Sequence, residues 1–94
     1  MTRSALDKIH SINAVIESID GDIDRARAEL GMLEHIDDDA QRDATVTDHA
    51  EDRQDARMTA SDVARMTRHI EKLLAKRAKT VRKRDAALAK LSAS

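Results

Sequence analysis

Apolar residues recur along the first third of the chain in alternating steps of three and four: Ile9, Ile12, Ile16, Ile19, Ile23, Ala26, Leu30 and Leu33. That spacing draws one stripe down an α-helix and has the heptad character of a coiled-coil seam. A stripe of this kind is useful only when another helix covers it. The spacing predicts a first helix over about 2–36, with Ser4 and Asp7 as its start signal.

The pattern then breaks. Ile36 is followed by Asp37-Asp38-Asp39, and consecutive aspartates repel one another and favour caps over helix interiors. Asp38 and Gln41 have capping-box spacing, which predicts an acidic turn followed by a weak helix or linker over about 38–58. Beyond alanine, that stretch offers only Val46 and Met58 as apolar residues.

Thr59 and Asp62 repeat the start signal, and a second seam follows over about 60–91: Val63, Thr67, Ile70, Leu74, Arg77, Val81, Arg84, Leu88 and Leu91. Met66, Leu73 and Ala87 widen it on one side, and Ser92-Ala93-Ser94 is expected to fray. The expected fold is all-α, a single helical domain over 1–94. Its architecture is a hairpin or three-helix unit of long amphipathic helices with coiled-coil-like packing.

Composition agrees. Proline is absent and only two glycines occur, which removes most helix breakers. Phe, Tyr and Trp are absent too, so any core is built from Ile, Leu, Val, Met and Ala. Without cysteine there is no disulfide, thiolate nucleophile or Cys-based zinc site. No stretch reaches the length of a membrane span, and the N-terminal residues lack the apolar core of a signal peptide. The expected location is the cytoplasm, or a virion if the gene is phage-borne.

The net charge of −1 conceals a gradient. Residues 1–36 carry four bases and seven acids, residues 37–62 three and nine, and residues 63–94 ten and two. The acids that flank the first seam (Asp20, Asp22, Glu29 and Glu34) are natural partners for Arg77 and Arg84, whose stems can lie across the isoleucines.

Candidate chemistry is sparse. Asp and His residues concentrate at His35–Asp39 and at Asp48–Asp52, but no metal-binding motif is matched. No serine sits in a nucleophile elbow, and no glycine loop cradles phosphate. No enzymatic activity, cofactor or metal is expected.

The residues expected to carry function are those of helix packing: Ile9, Ile12, Ile16, Ile19, Ile23, Leu30 and Leu33, with Val63, Ile70, Leu74, Val81, Leu88 and Leu91 opposite. The expected partner is a second copy of the chain or another helical protein, because one stripe per helix makes a thin core. An alternative role is nucleic-acid binding through phosphate contacts by Lys76, Arg77, Lys79, Arg82, Lys83 and Arg84. A further alternative is an adaptor or antagonist whose acidic middle engages a basic partner.

Overall fold

The computed structural model describes residues 2–93, with side chains from residue 4 onward. It is an all-helical hairpin. Helix α1 spans Thr2–Thr47 and helix α2 spans Ala50–Ala93. Helix α1 begins at Thr2, so Ser4 lies within its first turn and does not cap it. At the other end α2 reaches Ala93, and Ser94 lies outside the described residues.

The turn is not at the aspartate run. Helix α1 continues through Asp37-Asp38-Asp39 and ends at Thr47. Successive helical residues point about 100° apart, so the three carboxylates separate. Asp37 turns inward and accepts hydrogen bonds from Gln41 Nε2 at 2.9 Å and Thr59 Oγ1 at 2.7 Å. Asp39 pairs with Arg42 at 3.2 Å, and Asp38 faces solvent. Each charge finds a partner or water, and the helix has no cause to stop.

The chain reverses at Asp48 and His49, with no glycine or proline. Asp48 adopts a φ of 53°, a left-handed conformation that aspartate tolerates better than most residues. Its amide still donates to Ala44 O at 3.2 Å, closing α1, while Arg53 N donates to His49 O at 3.0 Å, opening α2. Arg53 Nη1 donates to both Asp48 O and Asp48 Oδ1, at 2.6 and 2.8 Å. Thr47 Oγ1 donates to Asp52. Glu51 and Asp52 sit in the first turn of α2, where its positive end favours acids. The expected helix start at Thr59 falls well inside α2. The Thr59 hydroxyl donates to Asp37 and also lies 3.1 Å from Ala56 O, one turn earlier.

The chain divides into two compact units: residues 1–23 with 72–94 (unit 1), and residues 24–71 (unit 2). In unit 1, Ile9, Ile16, Ile19 and Ile23 are buried, and Ile19 is only 2% exposed. The facing row on α2 is half-buried and passes through Leu73, Arg77, Thr80, Arg84, Ala87 and Leu91. Leu74 and Leu88, expected opposite the isoleucines, are 40% and 41% exposed and flank this row. Val81 is intermediate. Two arginines therefore stand where a hydrophobic seam would place leucines, their aliphatic stems available to cover the isoleucines.

In unit 2 the core thins toward the turn. Ala26, Ala56 and Ile70 are buried, and Leu30, Leu33, Val63 and Met66 are half-buried. Beyond them the inner positions hold Asp37, Ala40, Ala44, Ala56 and Thr59. Small side chains let the helix backbones approach closely. Gln41 Nε2 bridges the helices by donating to Ala56 O at 2.8 Å. The end nearest the turn buries little apolar bulk, and polar bonds from Gln41 and Thr59 cross between its helices.

Candidate interaction surfaces

The heptad that defines the inner rows also defines what flanks them. On α1 one flank carries Lys8, Val15, Asp22, Glu29, Ile36 and Asp43. The other carries Asn13, Asp20, Arg27, Glu34 and Gln41. On α2 the corresponding flanks carry Asp55, Asp62, His69, Lys76, Lys83 and Lys90, and then Arg53, Ala60, Thr67, Leu74, Val81 and Leu88. In an antiparallel pair like flanks face each other. Two shallow grooves in unit 2 follow this rule. Glu29, Leu33, Asp62, Met66 and His69 line one of them together with Arg65, and Gln41, Ala44, Arg53, Ala56 and Ala60 line the other together with Arg57.

The basic residues of α2 divide into two sets. Arg77 is drawn inward. Its Nε and Nη2 donate to the two carboxylate oxygens of Asp20 at 2.5 and 3.3 Å. The hydrogen bond from Arg77 holds the Asp20 carboxyl below its ordinary range, and Asp20 in turn raises the guanidinium. Arg84 finds an acid on its own helix, Asp85, at 3.2 Å, and not one on α1. Lys72, Lys76, Lys79, Arg82 and Lys83 are exposed, and no ion pair engages them. Of the six residues expected to contact phosphate, four (Lys76, Lys79, Arg82 and Lys83) thus remain at the surface without a partner.

The acids behave similarly. Asp37 is the one carboxylate drawn into the middle of unit 2, and bonds from Gln41 and Thr59 lower its pKa. His35 lies 3.9 Å from Asp39 in a fully exposed contact. Among the described residues no three His or carboxylate side chains converge to hold a metal ion. No helix among them is long and apolar enough to cross a membrane.

Several apolar side chains stay uncovered: Leu6, Val15, Leu74 and Leu88 in unit 1, and Met32, Ile36, Val46 and Met58 in unit 2. Val15, Leu74 and Leu88 follow directly from heptad position, because they flank the inner rows. The row through Met66, Ile70, Leu73 and Arg77 and the row through Val63, Thr67, Ile70 and Leu74 share the same 3-4 spacing, so the sequence offered both.

No family model matches this chain, and searches of curated proteins and of solved structures likewise find no match.

Proposed function

We propose that this is a non-enzymatic structural or interaction protein that associates through coiled-coil-like helix packing, with a second copy of itself as the first partner. The observation that carries this reading is the uncovered apolar row beside the inner seam of α2. Leu74, Val81 and Leu88 repeat at heptad spacing and are exposed or half-exposed in the single hairpin. A row of that kind is what a further helix covers. A cytoplasmic location, or a place in a virion, is consistent with the absence of a membrane-spanning helix among the described residues.

Equilibrium sedimentation of the full chain across micromolar concentrations tests the proposal. The expected result is a concentration-dependent dimer or larger assembly. A folded, fully helical monomer throughout that range contradicts it.

A second reading, nucleic-acid binding by the basic half of α2, has one observation in its favour. Lys72, Lys76, Lys79 and Lys83 share a helix face and are exposed and unpaired. Its mark is an affinity for duplex DNA that falls steeply with salt.

A further inference from the structure

The charge of the two units is opposite and nearly equal. Unit 1 carries ten bases and five acids, a formal +5, and unit 2 carries seven bases and thirteen acids, a formal −6. Four of the ten bases of unit 1 and four of the thirteen acids of unit 2 fall at one heptad position. In unit 1 that flank presents Lys8 on α1 and Lys76, Lys83 and Lys90 on α2, all exposed and none in an ion pair. Asp22 is the single acid there, half-buried and already engaged. In unit 2 the same heptad position presents Glu29 and Asp43 on α1 and Asp55 and Asp62 on α2. Of these four acids only Asp62 is paired, with Arg65 at 3.2 Å on its own helix.

We propose that the lysine row of unit 1 docks on the acidic row of unit 2 of a second copy of this chain. This rests on the self-association reading above and adds to it a charged contact on the flank away from Leu74, Val81 and Leu88. Four features select this occupant.

The two rows have matching repeats. Lys76, Lys83 and Lys90 recur every seven residues on α2, as Asp55 and Asp62 do before the row reaches His69, so two successive lysines can meet the two successive acids. Each row also includes one exposed apolar side chain. Val15 at 45% exposure stands among the lysines, and Ile36 at 52% among the acids. The groove in unit 2 lined by Glu29, Leu33, Asp62, Arg65, Met66 and His69 offers apolar surface for a lysine stem and the Glu29 carboxylate for its ammonium, while Asp62 already pairs with Arg65.

The fourth feature is the balance of charge. A nucleic acid satisfies the lysines and leaves the thirteen acids of unit 2 repelling it. A second copy satisfies both sets. Each copy offers one lysine row and one acidic row, so the contact can be made in both directions. Individual surface ion pairs are weak, so the rows set partner choice and orientation while the apolar side chains add attraction.

The opposite flank has no such polarity. Asp20, Arg27 and Glu34 alternate in sign along α1, and α2 offers Leu74, Val81 and Leu88. It suits a different contact, and the test separates the two.

Sedimentation velocity on the full chain in about 50 mM and then about 1 M NaCl reads the effect, since screening shortens from roughly 14 Å to roughly 3 Å over that range. The dissociation constant is expected to rise at least about tenfold. Two charge-reversed variants, Lys76→Glu with Lys83→Glu and Asp55→Lys with Asp62→Lys, are each expected to weaken self-association at least about tenfold. Circular dichroism should show both still helical. Mixed in equal amounts, they are expected to recover a heterodimer of wild-type strength.

Association that ignores both salt and charge reversal overturns the docking surface while leaving self-association standing. So does association that is abolished by Leu74→Lys but not by the charge reversals, since that places the contact on the opposite flank. A wild-type chain that is monomeric and binds a duplex DNA probe through Lys76 and Lys83 overturns both readings.

Discussion

Arg77 and Asp20 lie 57 positions apart in the chain and meet in a two-pronged ion pair across the two helices of unit 1. The guanidinium matches a carboxylate with two parallel N–H donors, a geometry lysine cannot reproduce. Arg77 occupies an inner position of α2 in unit 1, on the half-buried row that faces the isoleucines. Arg77→Lys should therefore keep the charge and still lower the thermal midpoint. Arg77→Ala should lower it further by also removing the stem over the isoleucines. If Arg77→Lys melts like wild type, the bidentate geometry contributes nothing.

The pH dependence follows from Asp20 and Asp37. Both are more acidic in the folded chain, Asp20 through Arg77 and Asp37 through Gln41 and Thr59. A carboxylate with a lowered folded pKa adds stability that is complete above its unfolded value and is lost as pH falls through the folded one. Urea midpoints should hold from neutral pH down to the ordinary carboxylate range and drop below it. Combining Asp20→Asn with Asp37→Asn should lower stability at neutral pH and flatten the acid limb. An unchanged acid limb in that variant would assign the effect to other groups.

Ile19 is the most deeply buried side chain, and Leu88 belongs to the exposed row. Ile19→Ala should cost about 2–5 kcal/mol, as buried Ile truncations do. Leu88→Ala should cost under about 1 kcal/mol in the isolated hairpin, within the range of surface changes. Denaturation at low protein concentration makes the comparison. Equal losses at the two positions would mean that Leu88 is covered within a single chain.

At the turn, Asp48 holds a positive φ. Asp48→Asn and Asp48→Gly should be tolerated, whereas Asp48→Ala should lose about 1–2 kcal/mol from the left-handed backbone alone. The loss of the bond between Arg53 and the Asp48 carboxylate is common to the Ala and Gly changes, so their difference isolates the backbone. Indistinguishable Ala and Gly variants would show that the turn relaxes freely.

Gly31 sits on the exposed face in the middle of α1, and a Cβ there would meet nothing within 4 Å. Gly31→Ala should stabilise the chain by about 0.4–1 kcal/mol, chiefly by restricting the unfolded state. A destabilised Gly31→Ala variant would reveal a contact at that surface, such as a partner helix packed against it.

The seam of α1 was legible because isoleucines at 3-4 spacing have one helical solution. The same spacing left a hairpin and a three-helix unit both open, and it set Arg77 and Arg84 toward acids beside the seam, of which only Arg77 reaches one on α1. The turn was not legible. Asp37-Asp38-Asp39 has the local chemistry of a helix end, while Asp48-His49 carries no glycine or proline to announce one. Local propensity ranks those two sites in the wrong order. In the fold Asp37 bonds to Thr59, twenty-two residues away, a contact that no local window contains. The choice between Leu73 and Leu74 was equally closed to the sequence, since both continue an apolar stripe on α2. By itself, then, the sequence determined that two long amphipathic helices form and which face of α1 is buried, because periodicity is a property of one helix. Only the tertiary structure decided where the chain turns and which α2 side chains face inward, because each depends on the register between two helices.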